Sequence, residues 1–140
     1  EQKGLNLAEK LKKDILKEYD YYTGLSPYEQ QFVTKQKMTQ ARLYSMVVNS
    51  VVSAYQKMGE KDKAYQYLVE SINVVDKRFD NLIKNLEAMG RGKAYNEAQN
   101  VQIKIVPLYH YLFEVMKPFD STYEQEKIKY IEKQIIRVSQ

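Results

Sequence analysis

Few side chains in this 140-residue chain have a claim to chemistry. His110 is the sole histidine, set in Leu108-Tyr109-His110-Tyr111-Leu112. An imidazole can act as a general base, but a triad needs a nucleophile and an orienting acid beside it, and no such spacing surrounds His110. The chain has no cysteine, which excludes thiolate nucleophiles, disulfides and sulfur-ligated metals. One histidine alone cannot build the usual zinc site. The paired acids Asp14 with Glu18, and Glu124 with Glu126, would catalyse only in a cleft that drives their pKa values apart. Lys10, Lys13, Lys17 and Lys127 stand near them, so helical ion pairs are the simpler role. There is no Walker sequence, no dinucleotide glycine fingerprint and no His-Glu-x-x-His. Gly90-Arg91-Gly92 is a short glycine turn without a preceding strand, which is not a phosphate loop. The sequence reads as non-catalytic, with no cofactor and no metal.

Binding chemistry is the remaining option. Tyrosine is over-used, with 13 Tyr against 4 Phe and no Trp. Tyrosine presents apolar area with a polar tip, which suits a peptide groove and equally suits the edge of a thin core. Lysine and arginine number 22 against 18 acids, a net charge of +4. That excess is scattered, whereas a nucleic-acid footprint is clustered on one face. Lys10, Lys12, Lys13 and Lys17 fall on several faces of one helix, among Glu9, Asp14 and Glu18. This reads as solvation, with membrane contact only through a region upstream. No apolar run approaches the ~18 residues that span a bilayer. The start at Glu1 is read as a boundary within a longer protein.

The elements that would carry these residues are helices nearly throughout. Leu7, Leu11, Ile15, Tyr19 and Tyr22 form one stripe, and Gly24 is expected as a left-handed stop. Ser26-Pro27-Tyr28-Glu29 joins a Ser cap, Pro at the first helical position and Glu three residues beyond the cap, a capping box. The second helix runs to about Met58 with Phe32, Leu43, Val47, Val48, Val51, Tyr55 and Met58 inward. Val47 to Val52 is β-branched, but the flanking helical spacing should override it. Leu68, Ile72, Val75, Phe79, Leu82, Leu86 and Met89 form a heptad seam ended by Gly90. Ala94, Ala98, Val101, Ile105, Leu108, Leu112 and Met116 keep one phase across Pro107, which predicts one kinked helix. Ser121-Thr122-Tyr123-Glu124 reads as a second capping box before Ile128, Ile131, Ile135 and Val138. The expected fold class is all-α: about five antiparallel helices in one domain over 1–140.

Residues 48 to 71 carry a resemblance. Tyr55 and Ala64 match the tetratricopeptide pattern of about 34 residues, Val51 and Leu68 stand in for its aliphatic marks, and Gly59 falls in its turn. Val48 replaces the Trp, Val52 the small residue and Asp76 the Pro. Val52 matters most, because a branched side chain there keeps the two helices from closest approach. A shift of 34 residues finds no second clean copy. The stretch resembles part of a tetratricopeptide-like array, or a bundle holding one repeat-like hairpin. A looser resemblance rests on Lys17-Glu18-Tyr19-Asp20-Tyr21-Tyr22, Gly24-Leu25-Ser26-Pro27 and the helix ending at Gly59. These are similar to the soluble C-terminal region of Bacteroidetes multi-pass proteins akin to protein O-mannosyltransferases. That likeness implies an extracytoplasmic, non-catalytic tail tethered to a membrane domain, with a structural or assembly role.

The leading expectation is a scaffold or protein-interaction domain. A protein or peptide partner, not nucleic acid, would dock in a groove around Tyr44, Tyr55 and Gly59.

Overall fold

The structure is a computed structural model and describes residues 1–140, the side chain of Arg91 excepted. Five helices make up the chain: α1 Gln2–Thr23, α2 Pro27–Lys57, α3 Lys61–Met89, α4 Arg91–Met116 and α5 Tyr123–Ser139. No strand occurs among the described residues, and Val47 to Val52 is helical as expected. No helix is long and apolar enough to cross a membrane.

The helix ends follow from local chemistry. Ser26 accepts from the Glu29 N–H at 3.3 Å, while the Ser26 N–H donates to the Glu29 carboxylate at 3.2 Å, so the first capping box forms. The α2–α3 turn depends on Gly59 at φ 75°, a left-handed conformation that disfavours side chains. The Glu60 N–H donates to the Tyr55 carbonyl at 2.8 Å and the Gly59 N–H to that of Gln56 at 3.0 Å, the paired bonds of a Schellman stop.

Two expected ends are corrected. Gly24 is right-handed (φ −84°, ψ −6°) rather than left-handed. Its lack of a side chain serves close approach, since a Cβ would lie 3.1 Å from the Asp20 carbonyl oxygen. The second capping box does not form, because Thr122 is the cap residue and makes no side-chain cap bond. Its hydroxyl donates to Asp120 at 2.8 Å and its N–H to the same oxygen at 3.0 Å. Asp120, two residues upstream, out-competes the helix for that hydroxyl and folds an Asx-type turn.

Where the sequence reads as one domain, the packing divides the chain into two compact units, Glu1–Ser71 and Ile72–Gln140. α3 runs from one to the other. In the first unit α1 and α2 pack as a hairpin, and Ala8, Leu16, Tyr19, Tyr44, Val48, Val52, Ala64 and Leu68 are buried. Tyr19 is buried as expected, but earlier on α1 the buried side is one residue out of register with the expected stripe, since Ala8, Lys12 and Leu16 are buried while Leu7 and Leu11 are exposed. Phe32 and Met58 are also exposed, against expectation.

In the second unit α4 packs on α5. Val101, Ile105, Leu108, Leu112 and Met116 are buried on α4, which stays a single helix through Pro107. Ile131, Ile135 and Val138 are buried on α5, and Ile128 is exposed. On α3 the seam follows expectation at Leu68, Ile72, Val75, Phe79 and Leu86, but Ile83 is buried in place of Leu82, which is half-buried, and Met89 is exposed. A straight helix drifts about 20° per heptad from a seven-residue repeat, so the buried position steps by four after Phe79.

Candidate functional site: an apolar groove between the first two helices

Both helices of the first hairpin carry an apolar arc wider than their partner covers. On α1, Ala8 and Leu16 face the core while Leu5, Leu7 and Leu11 sit to one side. On α2, Val48 and Val52 are buried while Val47, Val51 and Tyr55 are half-buried. The uncovered edges meet in a groove of about 340 Å³. Its α1 wall includes Leu5, Leu7 and Leu11, and its α2 wall Val51, Tyr55 and Met58. Leu7 is 58% exposed, Leu11 42% and Met58 52%. Three large apolar side chains are thus open to water along one groove, an exposed apolar patch of a kind that often marks interaction sites.

The structure sorts the three expected binding residues. Tyr55 lines the groove. Tyr44 does not, and its expected role is corrected: it is wholly buried, and its hydroxyl donates to the Ser71 carbonyl at 3.1 Å. Gly59 is outside the lining and acts through its turn, ending α2 directly after Met58. The sequence pattern places Leu7, Leu11 and Met58 in the core, whereas all three are exposed. The clue against that lay in α1, where Ala8 and Lys12 alternate with Leu7 and Leu11, giving two adjacent stripes between which periodicity alone cannot choose.

Each unit also contains a polar cluster. Lys12, read as a solvated lysine, is in fact buried. Its amino group donates to the Ser71 hydroxyl at 3.0 Å and the Tyr67 hydroxyl at 3.2 Å, and pairs with Glu9 at 3.1 Å. It also lies 4.6 Å from the Tyr67 ring centroid. Burial, and then the Glu9 charge, push the Tyr67 hydroxyl's pKa up. In the second unit Lys127 on α5 donates to both oxygens of Asp76 on α3, each at 3.1 Å. Asp76 also accepts from the Tyr109 hydroxyl of α4. Burial, followed by that bond, raises the Tyr109 pKa. Burial works against the Lys127 charge, but Asp76 outweighs it and the pKa of Lys127 is raised.

A second, smaller cleft of about 200 Å³ lies between α4 and α5. It brings together His110, Glu124 and Glu132 with Val106, Phe113 and Ile128. The acid that joins Glu124 is Glu132, two turns along the same face, rather than its sequence neighbour Glu126. His110 is exposed and makes no hydrogen bond among the described residues; its ring stands edge-on to Tyr111 at 5.0 Å. No cluster of potential metal ligands occurs among the described residues.

Comparison with protein-family models, with curated proteins and with solved structures gave no match.

Proposed function

We propose that the chain is a non-catalytic helical interaction domain, built from tetratricopeptide-like helix pairs, that holds a partner protein in the α1–α2 groove. The observation that carries this reading is the row Leu7, Leu11 and Met58, exposed along a single apolar groove. Covering a Leu or Met side chain is worth about 1.5–3 kcal/mol, so three of them supply useful affinity. The repeat-like geometry is supported by the Gly59 stop and by Ala64, the small residue of the pattern, which is wholly buried. A non-catalytic role is supported by the setting of His110, an exposed base with no nucleophile beside it.

The test is a displayed library of amphipathic helices panned on the purified chain. Binders should be lost with Leu11→Glu and kept with His110→Ala, while circular dichroism shows both variants folded. Binding indifferent to Leu11→Glu would remove the groove from the reading. Hydrolase or transferase turnover lost on His110→Ala would remove the non-catalytic role.

A further inference from the structure

The charges along the groove say what kind of partner fits it. Lys3 and Lys10 stand one helical turn either side of Leu7, and Lys57 stands one turn beyond Ala54 and next to Met58. All three are exposed. None is a member of the ion pairs described, which include those of Lys12, Lys63, Lys127 and Arg137. Behind them, Gln30 to Gly59 contains no Asp or Glu while it carries Lys35, Lys37, Arg42 and Lys57. The acidic groups nearby are at the ends: Glu1 lines one end of the groove, Asp14 lies a turn beyond Leu11, and Glu60, two residues past Met58, is paired with Lys63. The long edges of the groove are therefore basic on both helices.

We infer that the occupant of the α1–α2 groove is an acidic amphipathic helix of a partner protein, about three turns long. This rests on the docking function proposed above and adds the chemistry of the partner. On the α1 side the lining runs from Glu1, the residue that caps the helix, to Leu11. At a rise of about 1.5 Å per residue that is about 15 Å, the length of about ten helical residues. Apolar residues at i, i+3 or i+4, and i+7 would meet Leu7, Leu11, Val51 and Met58, since a helix laid in a groove contacts it along one stripe. Glu or Asp beside that stripe would face Lys3 and Lys10 on one edge and Lys57 on the other. Such edge charges set selectivity and association rate more than affinity, so the inference predicts a preference among helices rather than a new binding mode.

The experiment uses the same displayed helices with their flanking positions randomised, panned on the intact chain. Glu and Asp should be enriched at the flanks. The charge-reversed chain Lys3→Glu, Lys10→Glu, Lys57→Glu should fold normally, because all three side chains are exposed and unpaired. It should bind an acidic-flanked binder at least about tenfold more weakly at low salt and should select Lys-flanked helices instead. The difference should shrink as salt is raised to several hundred millimolar. Flanks that converge on neutral or basic residues, with binding still lost on Leu11→Glu, would overturn the acidic partner and leave the groove function standing. Binding insensitive to Leu11→Glu would overturn both. Two further results would replace the partner: anionic phosphatidylglycerol vesicles that bind through the three lysines when no helix is selected, or a dimer of the chain abolished by Leu11→Glu.

Discussion

Each unit of the protein fastens a lysine to α3 beneath tyrosine rings, and the two do it with different chemistry. In the first, Lys12 reaches two neutral hydroxyls on α3, Tyr67 and Ser71, and its carboxylate comes from Glu9 on its own helix. In the second, Lys127 of α5 takes its carboxylate from α3, and that same Asp76 accepts from Tyr109 of α4. The first charge pair sits within one helix and leaves Glu9 half in water, with a long 3.3 Å bond from the Tyr67 hydroxyl as its link to α3. The second ties three helices at one carboxylate. What differs is how much each cluster loses when its acid is removed.

The largest effect expected is in the apolar seam of α3 rather than in either cluster, and it sets the scale for both. Ile83→Ala should cost about 2–5 kcal/mol as a cavity in a packed helix, and Leu82→Ala clearly less, since Leu82 is half-buried. Urea unfolding measures both. A Leu82 cost equal to that of Ile83 would mean that the seam follows the strict heptad after all.

Next comes the acid itself. Asp76→Ala leaves the Lys127 amino group without its carboxylate and removes the Tyr109 acceptor. Breaking a buried pair costs about 3–5 kcal/mol, and partial exposure of this one brings the expectation to about 2–3 kcal/mol. Glu9→Ala also removes the acceptor of the Tyr67 hydroxyl, but it should cost no more than about 1 kcal/mol, because Glu9 is exposed, that bond is long at 3.3 Å and Lys12 keeps both hydroxyls. Equal losses at the two sites would erase the contrast between the units.

That contrast was only half legible in the sequence. Helix content, the five elements and the buried face of α4 follow from spacing and from Ser26 and Gly59, because local chemistry fixes them. The register of α1 does not. Leu7, Ala8, Leu11 and Lys12 offer two stripes, and hydrophobicity favours the one that the fold leaves outside. Lys12 wins a core position through Ser71 and Tyr67, residues more than 50 positions away, which no local pattern can announce. Tyr44 was misplaced in the same way: its hydroxyl is satisfied by a carbonyl on α3, so a residue that looks like a binding tyrosine is internal. The groove was legible only through Tyr55.

Alkaline pH should weaken both clusters. The Tyr109 and Lys127 pKa values are both raised. For Tyr109, the unfolded chain ionises near pH 10 while the folded chain keeps its proton, so stability falls above that pH. For Lys127, the stabilisation is complete below the unfolded lysine value of about 10.4 and is lost as pH rises through the higher folded value. Both losses run the same way. Tyr67 is raised as well, so the first unit shares the trend. Unfolding free energy should therefore decline from pH 9.5 to 11 by about 1 kcal/mol or more, and Tyr109→Phe and Tyr67→Phe should each flatten the decline by a similar amount, because over that range the loss is set by ionisation of the unfolded tyrosine. A decline that either variant leaves unchanged would show that its hydroxyl ionises as readily in the folded chain as in the unfolded one.

The smallest effect distinguishes two lysines inside the first unit. Lys12 and Lys37 are equally buried, each 6% exposed. Lys12 has its hydroxyls and its acid, whereas Lys37 has no hydrogen bond or ion pair among the described residues, and burial alone lowers its pKa. A depressed lysine pKa means that the fold disfavours the charged form, a penalty present at neutral pH. That penalty fades as pH rises through the folded value towards the unfolded one of about 10.4. Methionine has similar length and no charge, so Lys37→Met should stabilise the protein by about 0.5–1 kcal/mol at pH 7 and by almost nothing at pH 11. Lys12→Met should do the opposite and cost up to about 1 kcal/mol at pH 7, because it gives up paired hydrogen bonds. Denaturant titrations of the two variants at both pH values measure this. A destabilised Lys37→Met at pH 7, or a gain that persists unchanged at pH 11, would show that this amino group has a partner in solution and that the two lysines are alike.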